Sequence, residues 1–310
     1  MRPAGGMPGS RGGAALWTLI ALVLLTGHAL LFGFVIDDAF ISFRYAQNLN
    51  DGHGLVFNRG EMVEGYSNLL WVLLTAFGMK LGVPALLWAR IMGVAALAGV
   101  LVLAPGIVRT LAPRATAFSA APGRVAQVLI AFVGAAACWM LAGLETPLFT
   151  LWMVLAWRMA LDRNALGAGT AGVLLTLTRP EGPALAVIFL VWSLAKGRDD
   201  TFIDNVKRGL GWTVLILGAA IFFIWRHDLY GWWLPNTYYA KTGDLGGQIK
   251  TGLPYMLSFI LNYGLSLGVV GGAAVLGGGD LRLCAGDHLV GGGLVLFDKV
   301  QFAFELGEFL

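Results

Sequence analysis

Charged residues are scarce in this sequence. Asp, Glu, Lys and Arg make up 13% of the 310 residues, about half of the roughly 25% that is usual in soluble domains. Hydrophobic residues make up 57%, which is more apolar surface than a soluble core of this length needs and which suits a chain that crosses a bilayer several times. The net charge of +3 is too small to indicate a nucleic acid partner. Composition therefore predicts an all-α, polytopic membrane protein.

Cysteine and histidine are also scarce, which argues against a disulfide framework and against a histidine metal site. The two cysteines, Cys138 and Cys284, lie in an apolar stretch and in a Gly-rich tail, so they predict no disulfide framework. The four histidines lack the spacing of metal ligands. The sequence contains no GxxxxGK[ST], GxSxG or HExxH motif. Nothing in it therefore indicates a P-loop, a serine hydrolase or a zinc protease.

Long apolar segments recur along the chain and set the expected topology. They lie near 14–36, 67–82, 84–109, 125–141, 146–161, 165–178, 181–195, 209–225 and 253–276. As a helix, segment 67–82 reaches only about 24 Å, less than the roughly 30 Å of a bilayer core. We therefore interpret it as a juxtamembrane helix. The other segments predict about eight transmembrane helices, the first of them uncleaved and preceded by a cytoplasmic N-terminus.

The distribution of charge supports this topology. If segment 67–82 does not cross the bilayer, most basic residues between the spans lie on the cytoplasmic side. This agrees with the positive-inside tendency. The unusual polar motifs then all lie on the outer face. We expect two regions: a transmembrane module at 1–276, with a first outer loop at 37–83, and a Gly-rich tail at 277–310 of unassigned function.

Two adjacent carboxylates, Asp37 and Asp38, follow the first apolar run directly. Ionisable groups at such a border are costly unless they have a function, so we interpret the pair as the candidate catalytic centre. The alternative is that Asp37 caps the next helix and Asp38 stabilises its positive end. A further alternative is that the pair holds Mg²⁺ or Mn²⁺.

The segment after these acids, 37–50, is expected to form a helix at the membrane interface. At 100° per residue, Arg44 and Asn48 share a face with Asp37. The opposite face is apolar: Ala39, Phe43 and Ala46. Arg44 is therefore a candidate for binding a substrate phosphate near the acids.

A second polar cluster, at 226–241, is rich in aromatic residues. Aromatic rings offer flat faces to sugars, and Arg or Lys can bind a phosphate. The substrate-binding candidates here are Arg226, Asn236, Tyr238, Tyr239 and Lys241. The alternative is an interfacial belt, which applies above all to Trp232 and Trp233.

Three further candidates for substrate binding lie between short apolar segments. Arg179 and Glu181 flank Pro180, where they pair with each other or with Asp228, or bind an anionic head group. Glu145 lies in a Gly- and Pro-bounded turn, where it caps the helix that begins near residue 146 or binds substrate.

These motifs resemble a known family. The first outer loop resembles that of bacterial GT-C glycosyltransferases in three runs: DDAFISFRYA (37–46), GHGLVFN (52–58) and VEGYSN (63–68). GLET (143–146), RPEG (179–182) and LPNTYYAK (234–241) are also similar to that group. Within it, the chain resembles the terminal arabinofuranosyltransferases of the actinobacterial cell wall and their bacterial relatives. The resemblance covers about residues 14–260.

The resemblance implies an all-helical fold in a bacterial plasma (inner) membrane, with the active site on the extracytoplasmic side. It implies a polyprenyl-phosphate sugar as donor, with arabinofuranose as one candidate, and a glycan or lipid as acceptor. It also implies that an acid of the first outer loop is catalytic, which corresponds to Asp37 or Asp38 here.

The competing interpretation is a multi-pass transporter or a lipid-carrier flippase. Broken helices with polar residues at mid-membrane are typical of that class, and the segment 179–183 is a candidate break. Polar motifs at the outer face favour the enzyme, whereas the same motifs at mid-span favour the transporter.

Overall fold

A computed structural model describes residues 11–113, 120–193, 201–241, 245–259 and 261. Within these ranges the regular structure is helical and contains no strand, so the expected all-α class is confirmed there. The predicted tail at 277–310 and most of the apolar segment 253–276 lie outside the described residues.

The chain divides into two compact units, at residues 1–241 and 242–310. The first unit contains the following helices: α1 (Arg11–Leu30), α2 (Asp38–Asn50), α3 (Leu69–Lys80), α4 (Ala85–Leu111), α5 (Ala121–Ala131), α6 (Gly134–Met140), α7 (Thr146–Leu161), α8 (Ala165–Thr178), α9 (Gly182–Ser193), α10 (Phe202–Tyr230) and α11 (Asn236–Lys241). In the second unit the structure describes α12 (Leu245–Phe259) and residue 261. The predicted boundary at 276 lies outside this description and stays a prediction.

Among the described residues, three helices are long and apolar enough to cross a membrane: Gly12–Leu30, Ala85–Leu111 and Phe202–Tyr230. The pair α5 and α6, bent by 60°, makes a fourth if it is one broken span. The described residues therefore give a membrane protein with three or four candidate spans, and the expected eight are not confirmed. The reason lies in α7, α8 and α9, which are apolar but only 16, 14 and 12 residues long. At 1.5 Å per residue they reach about 24, 21 and 18 Å.

Local sequence explains where these elements end. A capping box between Thr201 and Asp204 begins α10, and Gly231, with a φ of 76°, ends it, which is a conformation that glycine adopts without strain. This helix is longer at both ends than the predicted segment 209–225. The segment 125–141, expected as one span, is broken between α5 and α6.

Glycines let α8 and α10 approach at backbone distance. A Cβ on Gly169 would collide with the carbonyl group of Gly211, and a Cβ on Gly211 would collide with that of Ala165. Small residues at such contacts are a usual device for packing helices in a membrane. This packing fixes α10 against α8, and each of the two helices ends at a candidate site residue or close to one.

The short helix α2 packs its apolar side into two clusters of the first unit. Ala39 and Phe43 lie with Trp71 of α3 in one cluster, and Ala46 lies in the other, which includes Phe222 of α10. The predicted apolar face of this helix is thus buried. The predicted polar face is only partly open, because Asn48 is fully buried.

Candidate active site

Asp37 and Asp38 lie at the start of α2 with exposed side chains. The chain reaches them through Ile36, whose amide donates to the Ala142 carbonyl at 3.1 Å. Asp37 occupies the N-cap position, and its Oδ1 accepts from the Asp38 amide at 2.9 Å. A typical cap has extended backbone and accepts from the second or third helical residue, whereas Asp37 has helical backbone angles and accepts from the first. Within the described residues, no hydrogen bond engages the Asp38 carboxylate.

A polar chain begins one helical turn after Asp38. Ser42 and Asn68 exchange hydrogen bonds of 3.1 and 3.2 Å between their side chains. Asn68 Nδ2 also donates to Glu145 Oε2 at 2.7 Å. Residues four apart on a helix share a face, so Asp38 and Ser42 point to the same side of α2. The amide of Asn68 therefore links the acid-bearing face of α2 to Glu145.

Glu145 in turn contacts Arg179, which ends α8. Arg179 Nε lies 3.6 Å from Glu145 Oε1 and 3.5 Å from Glu181 Oε2. The Glu145 side chain is 8% exposed, whereas those of Arg179 and Glu181 are 34% and 62% exposed. We call Ser42, Asn68, Glu145 and Arg179 the Glu145 network. In this network the carboxylate of Glu145 is buried, whereas the guanidinium of Arg179 is partly exposed.

These contacts decide between the alternatives that the sequence leaves open. The pairing of Arg179 with Glu181 is confirmed, and Glu145, not Asp228, is the second acidic partner. Glu145 occupies the N-cap position of α7, as the capping interpretation expects, but its side chain makes no capping hydrogen bond there. Its carboxylate is drawn away from the helix end by the amide of Asn68 and the charge of Arg179.

The turn at 142–145 holds this network close to the two acids. Gly143 has a φ of 95°, and a Cβ there would lie 3.1 Å from the Cβ of Ala39. Because Ala39 directly follows Asp38, the turn packs against the first residues of α2. The fold therefore gathers five predicted site residues in one region: Asp37, Asp38, Glu145, Arg179 and Glu181.

A second, closed network lies between the first loop and α10. Arg226 Nε lies 3.0 Å from Glu64 Oε1, with the two side chains 4% and 0% exposed. The hydroxyl groups of Tyr66 and Tyr230 are 3.1 Å apart, and Tyr230 donates to the Leu55 carbonyl at 2.8 Å. We call Glu64, Tyr66, Arg226 and Tyr230 the Glu64 network. Arg226, a predicted phosphate ligand, is thus paired inside the protein, and its phosphate role stays a prediction.

Burial controls the ionisation of Glu64. Loss of solvent raises the pKa of this carboxyl to about 7, although the adjacent Arg226 lowers it. Its Oε2 is buried and has no hydrogen-bond partner among the described residues. Burial also raises the pKa of Tyr66 well above its usual range. The carboxyl of Glu64 therefore changes charge near neutral pH.

The aromatic segment that follows α10 is attached to this network by one residue. The amide of Asn236 donates to the Glu64 carbonyl at 3.1 Å. Tyr238 and Tyr239 are exposed, with ring centroids 5.6 Å apart. Trp232 and Trp233 are about half exposed, as an interfacial belt requires. Lys241 ends α11, and its side chain lies outside the described part.

Arg44 is the remaining predicted phosphate ligand. Its side chain is exposed, and Nε donates to the Phe57 carbonyl at 3.2 Å. The neighbouring Asn48 donates to the carbonyls of Val56 and Phe57 at 2.7 and 2.9 Å. The polar face of α2 therefore supports its own loop, and only its Arg44 and Asp37 positions are open.

Sequence reasoning missed Ser42, Glu64 and Asn68 as functional candidates. Glu64 and Asn68 lie in the polar interval 51–68, where apolar residues follow no helical or strand periodicity. Capping of the helix at 37–50 does not explain why so many polar residues follow it. This unexplained polarity is the sequence feature that could have identified these two residues as functional candidates.

Within the described residues, no group of three or more His, Cys, Asp or Glu side chains could hold a metal ion. The acid pair could supply two carboxylate ligands, so any further ligands would have to be water or substrate oxygens.

Comparison with known proteins gives one curated relative. The chain is similar to the terminal beta-(1->2)-arabinofuranosyltransferase of Mycobacterium tuberculosis, with 28% identity over 270 residues. The match covers 78% of this chain but 41% of that protein, so the chain spans less than half of the relative's length. No family model and no solved structure matches the chain.

Proposed function

We propose that this protein is a membrane glycosyltransferase that moves a sugar from a polyprenyl-phosphate donor to an extracytoplasmic glycan or lipid acceptor. Arabinofuranose is the first sugar to test, because the relative carries an arabinofuranosyltransferase name. The observation that carries the proposal is the exposed acid pair at the start of α2, beside a carboxylate network whose arginine is open.

In this mechanism, Asp37 is the general base. It takes the proton from an acceptor hydroxyl while that oxygen attacks the anomeric carbon. The bond between the anomeric carbon and the phosphate oxygen breaks, and its electron pair leaves with the lipid phosphate. Asp38 orients the acceptor hydroxyl or stabilises the positive charge that develops on the sugar.

The leaving phosphate needs a cation as its charge develops. Arg179 suits this role best, because its guanidinium is partly exposed and its ion pairs at 3.5 and 3.6 Å are longer than hydrogen bonds. A phosphate could therefore approach the exposed side of Arg179 while Glu145 keeps its hydrogen bond from Asn68. Arg44 and Lys241 are the second candidates.

A divalent ion is a separate part of the proposal. Mg²⁺ or Mn²⁺ at Asp37 and Asp38 would take its remaining ligands from water and the donor phosphate. Full turnover after treatment with a chelator would remove the ion from the mechanism.

The test is to supply the protein, in nanodiscs, with a panel of polyprenyl-phosphate sugars and a glycan acceptor. We expect release of polyprenyl phosphate together with a glycosylated acceptor for one donor, with polyprenyl-phosphate arabinofuranose tried first. Absence of both products with every donor would contradict the proposal.

The transporter alternative is favoured by one observation, the break between α8 and α9 at Arg179. It predicts that the donor crosses a liposome membrane while its sugar–phosphate bond stays intact. Analysis of the lipid in both leaflets separates the two functions, because the enzyme cleaves that bond.

The sidedness of the site can be tested separately. We expect single cysteines in place of the exposed Glu61 and Glu181 to react with an impermeant thiol reagent from outside, and cysteines in place of Arg114 and Asp199 to be protected. Labelling at position 114 from outside would contradict the proposed extracytoplasmic site.

A further inference from the structure

The Glu64 network joins two pieces of chain that lie far apart in sequence. Arg226 pairs with the Glu64 carboxylate at 3.0 Å, and the Asn236 amide donates to the Glu64 carbonyl at 3.1 Å. The two tyrosine contacts of this network add links between the same pieces. All four contacts connect the loop segment 55–66 to the segment 226–236.

Each of these pieces leads to a different part of the candidate site. The loop segment continues into Asn68, which holds Glu145 and the face of α2 that bears Asp38. It is also attached to α2 through Tyr45, whose hydroxyl donates to the Val63 carbonyl at 2.7 Å. The other piece continues into α11 with Asn236, Tyr238 and Tyr239. A shift between the two pieces would therefore separate the acids from the aromatic segment.

Stability alone does not explain a charged pair at this place. A buried ion pair loses the hydration of both ions, and well-packed apolar side chains of the same volume are often as stable or more stable. The polar groups that face the Glu64 carboxyl are Arg226 and Tyr230 of α10, Tyr45 of α2 and Tyr66 of its own loop. Arg226 is the one cation among them, and the directional contact it makes fixes the register of the loop on α10.

We propose that Glu64 is a positioning residue, whose ionised carboxylate pairs with Arg226 and thereby sets the distance between the Asp37–Asp38 pair and the segment 236–239. This inference rests on the proposed glycosyl transfer. It assigns Glu64 no contact with substrate.

The first test is the ratio of wild-type to Glu64→Gln turnover across pH. Glutamine has the shape of the protonated acid, so the ratio should be near one at pH 5.5. It should rise to roughly 10- to 100-fold above pH 7, the scale on which small misplacements lower a rate. The fall should appear in kcat, with little change in the donor KM. The ratio cancels the titration of every other group.

The matched control is Glu61→Gln. Glu61 is an exposed acid of the same loop that accepts from Asn58 Nδ2 at 3.0 Å, and its ratio should stay near one at every pH. Arg226→Lys should retain more turnover than Arg226→Gln, because the cation is kept. A Glu64→Gln ratio that does not vary with pH would overturn the positioning role and leave Glu64 as a scaffold residue.

A second measurement does not depend on activity. The exchange rate of the Asn236 amide should be slower in wild type than in Glu64→Gln at pH 8, and alike in the two proteins at pH 5.5. If no donor is turned over, the proposed function fails while this measurement still decides the positioning role. Equal protection of Asn236 in both proteins at both pH values would overturn it.

Discussion

Two glutamate–arginine pairs in the first unit differ in how open they are. Glu64 and Arg226 lie 3.0 Å apart with side chains 0% and 4% exposed. Glu145 and Arg179 lie 3.6 Å apart with side chains 8% and 34% exposed. Both pairs contain a buried carboxylate, so the difference lies in the arginine. A closed arginine can hold two chain segments together, whereas an open one can also bind an anion from outside.

The comparison separates residues that hold the site from residues that meet a ligand. Sequence motifs place Arg179 and Arg226 in the same class of phosphate candidates. The structure ranks them, because a phosphate at Arg226 would first have to displace a buried partner. Substitution of each arginine by methionine tests that ranking.

The largest expected effect is on stability. Arg226→Met keeps the side-chain stem but leaves Glu64 buried without its cation, and loss of one partner of a buried pair costs about 3–5 kcal/mol. Arg179→Met should cost less than Arg226→Met, because Arg179 is partly exposed and Glu145 keeps the hydrogen bond from Asn68. The free energy of unfolding of both variants, compared with that of wild type at pH 8, checks this. Equal losses would remove the distinction between closed and open pairs.

The second effect is on donor affinity, where Arg179→Met should have a larger effect than Arg226→Met. A hydrogen bond to a charged group contributes about 1.5–3 kcal/mol, so Arg179→Met should weaken polyprenyl-phosphate binding by about 10- to 150-fold. Folded Arg226→Met should bind the same lipid nearly as well as wild type. Titration of both variants in the same nanodiscs measures the difference, and a larger loss in Arg226→Met would reverse our assignment.

A third effect is the pH dependence of stability due to Glu64. Its pKa is raised from 4.5 to about 7 in the folded protein, so the folded state favours the protonated acid. This contribution is complete below pH 4.5 and is lost as the pH rises through 7. The thermal midpoint of wild type should therefore fall between pH 5 and pH 8 by more than that of Glu64→Gln. Parallel pH profiles for the two proteins would contradict the assigned titration.

Local features of this fold could be predicted from sequence. The predicted helix at 37–50 is observed at Asp38–Asn50, since its acids, its apolar face and the following glycines all act within a few residues. The pairing of Arg179 with Glu181 is equally local.

Contacts between distant residues could not be predicted. Glu64 and Arg226 are 162 residues apart, and Asn68 and Glu145 are 77 apart. No periodicity relates such positions, so the closed state of Arg226 was not foreseen. The predicted eight spans are not confirmed for a related reason. Apolar composition marks α7, α8 and α9, but packing and proline breaks determine whether such short helices cross a bilayer.

The central claim is that the exposed acids at the start of α2 perform the chemistry, and one measurement tests it most directly. Turnover of a polyprenyl-phosphate sugar should fall by roughly 10²–10⁴-fold in Asp37→Asn, the usual scale of general-base catalysis. Asparagine caps helices about as well as aspartate, so the fold should be kept. Asp51→Asn, at the other end of the same helix, is the control and should retain wild-type turnover. Wild-type turnover in both Asp37→Asn and Asp38→Asn would contradict the account and leave the two carboxylates as features of the helix terminus alone.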